Sequence, residues 1–328
     1  MALFISGCDG GIDSRRPRSE GELARTVGSE VIVSRTACPA ASKAMLSLVP
    51  AHEPLRFRGM EPIHVVGIGA SQLVMFDPDS ARLVFVDAED QTGSVPAPGG
   101  GVRNLLADGD RVFLLSESTL FRIAPGSEWL TPVASIDHLS SRIVSAGLRE
   151  DQLWLVDSPR SRETTLRLLS LTDGRAEHRR SVPLPGPAHV TPAANLVLAT
   201  LVNPPFSVIA FDDALRELHR INPPIGDSIG EDLRGRNSVF SLGLLSLDCG
   251  YVLQMLTDLR SDDRWLVLYS AGSDGLNYVR QSLVDLPIGF VHSVPSSRTL
   301  IGMIDSGSGR EIVRFQWHWQ TPNNEDES

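Results

Sequence analysis

The chain has 328 residues and a single lysine, Lys43. Schiff-base chemistry would therefore have to use that one side chain. Aromatic residues make up 6% of the chain, and there are three cysteines, Cys8, Cys38 and Cys249. Three cysteines cannot build a disulfide scaffold, so a packed apolar core must carry the fold. No segment is apolar for long enough to cross a membrane as a helix. Helical periodicity is also missing: the best helical candidate, Pro39–Pro50, is short and bounded by prolines. Positive charge is in deficit, with 30 Lys and Arg against 40 Asp and Glu and a net charge of −10. That excludes nucleic acid as the main partner, because such binding depends on cations that neutralise phosphate. No G-x-S-x-G elbow and no H-E-x-x-H pair occurs, so the common hydrolase signatures are absent.

What the chain does have is a repeat. Hydrophobic residues are 41% of the total, enough for a large core, and the 28 glycines and 22 prolines suit a protein built from turns. About every 40 to 50 residues a short apolar strand, a polar turn, a stronger apolar strand, a second turn and a third strand recur. HVVGIGASQLVMFDPDSARLVFVDAED shows the unit, and RNLLADGDRVFLLSESTLFRIAPGSEW repeats it. The strongest strands are expected at Leu73–Phe76, Val112–Leu115, Leu153–Val156, Leu196–Ala199, Val252–Met255 and Leu300–Met303. Third strands follow at Arg82–Val86, Leu120–Ile123, Leu166–Leu171, Ser207–Phe211, Trp265–Tyr269 and Glu311–Trp317. Weaker fourth strands are expected at Gly93–Val95, Leu130–Ala134, Ala176–Val182, Glu217–Ile221 and Asn277–Leu283.

The last unit has no fourth strand of its own. The isolated strand Ser29–Arg35, SEVIVSR, is expected to supply it and so hide an edge that would otherwise invite aggregation. This period and pattern resemble the six-bladed β-propellers, a large bacterial group often found in the cell envelope. The resemblance spans Ser29 to Gln320 and carries no WD or kelch signature. It implies an all-β fold, a single β-propeller of six blades closed by an N-terminal strand. Seven blades are the runner-up, with Leu55–Gly59 giving a further strand. The expected organisation is a truncated signal-like segment over 1–8, a polar tether over 9–28, the propeller over 29–320 and an acidic tail over 321–328.

The N-terminus carries a second resemblance. Ile5-Ser6-Gly7-Cys8 is similar to the lipobox of bacterial lipoproteins, in which the cysteine receives lipid and becomes the mature N-terminus. Ala2–Ile5 looks like the end of an apolar region, and the polar stretch from Asp9 to Glu30 suits a tether. No basic residue precedes Cys8, whereas a secretory signal has a basic start and roughly 7 to 15 apolar residues. The resemblance implies an initiation codon further upstream and lipid anchoring at the periplasmic side of the envelope. An accidental match implies a cytoplasmic protein. In an oxidising compartment Cys38 and Cys249 are a candidate disulfide, with two buried unpaired thiols as the alternative.

First strands normally line a propeller's central channel. Here they carry His64, Arg103, Arg142, His189 and His292, and the fifth unit offers Arg236 at its beginning. Such a ring of basic residues would concentrate anions in a cleft. Arginine would then grip carboxylate or phosphate in a forked geometry. A solvated rim of polar residues is the structural alternative. No metal is expected, because His64 and His292 lack a third ligand in sequence, and no cofactor is implied. The propeller lactonases use an acidic residue with asparagines. Asn104 is the one asparagine placed on an inner strand, with no acidic partner in view. The virginiamycin-type lyases use a histidine with an acidic neighbour, and His292 is the nearest analogue. The aspartates in MFDPDS, FVDAED and AFDDAL are expected to form turns. The expected function is a non-catalytic binding or scaffold propeller, a monomer that recognises a protein or a small anionic ligand at the channel face. A lactonase- or lyase-like enzyme is the alternative.

Overall fold

A computed structural model describes residues 38–41, 44–51, 54–56, 64–69, 71–87, 91–99, 101–124, 129–136, 143–158, 163–224, 239–260, 263–272, 275–284, 288–306 and 309–320. Cys8, Ser29–Arg35, Arg142 and Arg236 lie outside them. Among the described residues there is no helix long and apolar enough to cross a membrane.

Strands dominate, in consecutive antiparallel meanders. Unit 1 comprises His64–Ile68, Gln72–Asp77, Arg82–Val86 and Gln91–Pro96; unit 2 comprises Val102–Asp108, Arg111–Ser116, Thr119–Ile123 and Thr131–Ser135. Unit 3 comprises Ile143–Arg149, Gln152–Asp157, Thr164–Thr172 and Arg175–Leu184; unit 4 comprises Ala188–Ala193, Leu196–Leu201, Val208–Phe211 and Glu217–Ile221. Unit 5 comprises Val239–Ser246, Tyr251–Asp258, Arg264–Gly272 and Gly275–Val284. Unit 6 has Ile288–Val294, Thr299–Ser306 and Gly309–Gln320. Units 2 and 3 share one eight-stranded sheet through a parallel bridge between Ser135 and Arg175.

Local chemistry explains the meanders. The second strands are runs such as Leu153-Trp154-Leu155-Val156, buried on both faces, which suits β-branched and aromatic side chains. The turns use aspartate as expected. Asp77 accepts hydrogen bonds from the Asp79 N–H and the Ser80 hydroxyl, and Asp212 accepts from the N–H groups of Ala214 and Arg216. Between Thr172 and Arg175, Asp173 and Gly174 take φ values of 48° and 76°. Two left-handed residues in a two-residue hairpin are the reason for an Asp-Gly pair there.

Each unit buries both faces against its neighbours. Val74 and Phe76 of unit 1 pack with Val112 and Leu114 of unit 2. Phe113 and Leu115 of unit 2 pack with Leu148 and Leu153 of unit 3. Trp154 of unit 3 meets Ile209 and Phe211 of unit 4, and Val208 of unit 4 meets Val267 and Tyr269 of unit 5. Leu253 of unit 5 meets Leu300 and Trp317 of unit 6, and Ile301 and Ile312 of unit 6 return to Leu73 and Met75 of unit 1. The architecture is an all-β propeller.

The strand that completes unit 6 differs from expectation. Met45–Pro50 pairs antiparallel with Gly309–Gln320, from Met45 opposite Gln320 to Pro50 opposite Phe315. It takes the place expected of Ser29–Arg35 and converts the Pro39–Pro50 helical candidate partly into strand. Leu46 and Leu48 pack on the core between units 5 and 6, a cross-strand reward that outweighs weak local helical preference. Leu55–Arg56 pairs with Ile312 and Glu311 of the same last strand, so it extends unit 6 rather than starting a seventh sheet.

The entering segment is also tied to unit 5. Cys38 and Cys249 form a disulfide with Cα atoms 5.6 Å apart, and the Tyr251 hydroxyl donates to the Pro39 carbonyl at 2.8 Å. Beside them the Asp248 carboxylate accepts from Arg298 at 2.6 Å and from the indole N–H groups of Trp317 and Trp319, each at 2.9 Å. Replacing Cys38 by serine is expected to cost about 2–5 kcal/mol of stability. Deleting residues 1–50 should cost more and produce self-association through the bared edge of Gly309–Gln320. Urea unfolding and light scattering test both expectations. A monomeric truncated chain with unchanged stability would overturn the closing role of Met45–Pro50.

Candidate functional site

The first strand of every unit lines one central cavity of about 1070 Å³. These strands run in the same direction, because neighbouring contacts rise together along both chains. The Val190 N–H donates to the Ser145 hydroxyl at 3.0 Å, and the Thr191 hydroxyl donates to the Leu244 carbonyl at 2.9 Å. The Ser293 hydroxyl donates to the Ser246 carbonyl at 2.7 Å, and the Ser297 hydroxyl to the Gly69 carbonyl at 3.2 Å. Gly147 lets the chains approach closely, since a Cβ there would stand 2.6 Å from the Pro192 ring. The channel therefore has two mouths, one where the first strands begin and one where they end.

The expected basic ring divides. His64, His189 and His292 line the cavity. His64 opens its strand and His189 is second in its own, whereas His292 stands in the middle of Ile288–Val294. Arg103 is not among the lining residues: it forms an exposed ion pair with Glu117. Arg142 and Arg236 lie outside the described residues. Burial lowers the His64 pKa to about 3 and those of His189 and His292 to about 4. For His189 a hydrogen bond with the Ser241 backbone works weakly the other way. The three imidazoles are thus neutral near pH 7 and offer hydrogen bonds rather than charge. An anion in the channel would therefore meet these three as neutral hydrogen-bonding groups.

The lining charges come from other residues: Arg149, Arg264, Arg310 and Asp108. Arg149 and Asp108 end their first strands, at one mouth. Both are engaged within the protein. Arg149 pairs with Asp213, donates to the Ala194 carbonyl and lies over the Trp154 ring, while Asp108 accepts from Arg111 and the Glu150 N–H. Arg264 and Arg310 are at the opposite mouth. Phe240 near the start of its strand is paired with Thr257, which is paired with Arg264. Arg310 stands opposite Asp305, beside the start of Ile288–Val294. Sequence reading missed both because they begin third strands, which carry no channel signal of their own.

Asn104 lines the cavity as well, on the same strand as Asp108. Among the described residues Asn104 has no acidic partner in the cavity lining, since Asp108 is four residues along, at the other mouth, and held by Arg111 and the Glu150 N–H. Among the described residues no three His, Cys, Asp or Glu side chains converge on a metal position.

Four of the first strands contain a bulge. Pairing skips one residue between Val102 and Asn104, Ile143 and Ser145, Ser241 and Gly243, and Phe290 and His292. The extra residues are Arg103, Val144, Leu242 and Val291. A bulge re-aims its side chain. Leu242 and Val291 accordingly line the channel while remaining 42% and 36% exposed.

No protein-family model and no curated protein sequence matches this chain. Solved structures share its fold at low identity. A structural-genomics protein of unknown function from Bacteroides thetaiotaomicron is 12% identical, with a TM-score of 0.52 over 84% of this chain and 76% of that one. One chain of a mitotic checkpoint complex is 9% identical, with a TM-score of 0.51 over 95% of this chain and 100% of that one. A streptogramin B lyase is 9% identical, with a TM-score of 0.49 over 86% of this chain and 100% of that one.

Channel histidines with lowered pKa values bind fewer protons in the folded state than in the unfolded chain. Their contribution is therefore complete above about pH 6.5 and is lost as pH falls toward about 4. Ring-proton NMR should show three histidines that do not titrate between those limits, and His189→Gln should flatten the decline of stability with acid. Ordinary titration of these rings near pH 6.5 would refute the burial argument.

Proposed function

We propose that this protein is a binding platform: a six-bladed propeller, each unit one blade, that holds a small anionic ligand, or an acidic group of a protein partner, in its channel. The carrying observation is the sign of the lining charge, three arginines against one aspartate in a chain of net −10. A low-dielectric cleft focuses such a field. The working mouth is the one that holds Arg264 and Arg310, because both of its charged lining residues are arginines, whereas the other mouth sets Asp108 beside Arg149. His64 and His189 add neutral donors near the same mouth.

The platform is proposed to reside at the cell envelope, lipid-anchored through Cys8. The Cys38–Cys249 disulfide supports this reading, because such bonds persist in oxidising compartments. The lipobox-like Ile5-Ser6-Gly7-Cys8 supports it independently.

Two measurements test these readings. NMR titration near pH 7 should show acetate shifting the resonances of His64 and His189, with methylammonium inert. The double substitution Arg264→Gln and Arg310→Gln should weaken acetate about tenfold. Equal response to cation and anion would sink the anionic reading. Intact mass of the protein from its native host should show a lipid adduct on Cys8 with the preceding residues removed. An unmodified chain beginning at Met1 or Ala2 would overturn the anchor.

A further inference from the structure

We infer that the ligand is an amphipathic carboxylate, whose charged head meets Arg264 and Arg310 and whose apolar body lies against the wall formed by units 5 and 6. The inference rests on the anionic reading of the channel and adds the chemistry of the rest of the ligand.

Three large apolar side chains are exposed inside this one cavity: Leu242 at 42%, Val291 at 36% and Leu259 at 57%. All three belong to units 5 and 6, on the first strands and on the turn after Tyr251–Asp258. Phe240 and Met303, from the same two units, are half-buried and line the cavity beside them. Leu242 and Gly289 are close neighbours across the two units, since a Cβ on Gly289 would stand 4.0 Å from Leu242 Cδ1. Elsewhere on the wall units 1, 3 and 4 contribute His64, Ser145, His189 and Thr191.

An isolated exposed leucine means little, but a clustered set inside a concave site marks a binding surface. The bulges make the cluster a built feature. In a regular strand each side chain alternates between the two neighbouring units. The extra residue at Leu242, and again at Val291, breaks that alternation and delivers an apolar group to the channel. Units 1 and 4 keep unbroken pairing in their first strands. Arg264 and Arg310 stand on these same units 5 and 6, so charge and apolar surface share one side of one mouth. Asp305 is the cross-strand partner of Arg310, and Asp263 adjoins Arg264. A guanidinium carries five donors in a fork, so Arg264 and Arg310 can keep an interaction within the protein and still receive a ligand carboxylate. A purely inorganic anion would leave the apolar wall wet, and a neutral hydrocarbon would bring no charge to match the two lining arginines.

Isothermal titration of the whole chain near pH 7 with octanoate, acetate and 1-octanol tests the inference. Octanoate should bind at least about tenfold more tightly than either comparison, because each added methylene buried gains free energy. Leu242→Ser and Val291→Ser alter exposed positions and leave the core untouched. Each should reduce octanoate affinity several-fold and leave acetate unchanged. Equal affinity for acetate and octanoate overturns the amphipathic ligand while the anionic channel stands. Equal affinity for 1-octanol and octanoate, or no binding of any of the three, overturns both.

Discussion

Closure of the ring is the constraint on which the rest depends. A meander of three strands in unit 6 would leave the long strand Gly309–Gln320 with an open edge, and Met45–Pro50 covers it. Closure also decides whether the channel exists, because the first strands face one another only when the first and last units meet. The segment that closes the ring is held at several points. The disulfide binds Cys38 to unit 5, Tyr251 holds the Pro39 carbonyl, and Leu46 and Leu48 join the core between units 5 and 6. Asp248 gathers three donors from unit 6 on the unit 5 turn that also carries Cys249. Covalent, polar and apolar terms thus act on the same short stretch.

Between the units, small polar side chains set the spacing. Ser145, Thr191, Ser293 and Ser297 use their hydroxyls sideways, on the backbone of the next unit. A deeper network joins units 4 and 5. The two N–H groups of the Gln254 amide are shared among Thr200, Ser241 and the Phe206 carbonyl, and its oxygen accepts from the Tyr269 hydroxyl at 2.6 Å. Every member is satisfied, which lets polar groups sit in the core without the cost of an unmade hydrogen bond. Burial raises the Tyr269 pKa, so the phenol stays a donor. With the walls fixed in this way, two of the four bulged residues, Leu242 and Val291, present their side chains to the channel.

The strands were legible because burial on both faces writes dense apolar runs. Leu153–Val156 and Val252–Met255 fall within the strands that form there, and Arg82–Val86 and Glu217–Ile221 coincide with theirs. The closing strand was less legible. Met45–Pro50 is short and follows an alanine-rich stretch, and its strand form comes from a partner near the other end of the chain. The site was legible in part. His64, His189 and His292 could be placed on first strands, but their charge state could not, because it depends on enclosure by other units. Bulges leave no residue signature, so nothing in the sequence singles out Leu242 or Val291. Arg264 and Arg310 reach the mouth through cross-strand neighbours that only pairing reveals.

Arginine placement separates structure from ligand chemistry. Arg314 is buried between units 6 and 1 at 2% exposure, on the strand face shared with Ile312. Among the described residues no group hydrogen-bonds its guanidinium. Burial lowers its pKa, and the charge of Asp87 acts in the opposite sense. A cation at that depth carries a desolvation penalty that Coulomb attraction rarely repays in full. Arg314 is not among the residues that line the channel. Arg264 and Arg310 differ on each count: they keep solvent contact, they border a cavity, and they stand beside exposed apolar surface. A ligand's carboxylate meets a partly hydrated guanidinium at lower cost than a buried one, because less water must be stripped from either group. On the proposed reading of the channel, that difference in hydration, more than the number of arginines in the chain, is what would direct an anion to the mouth.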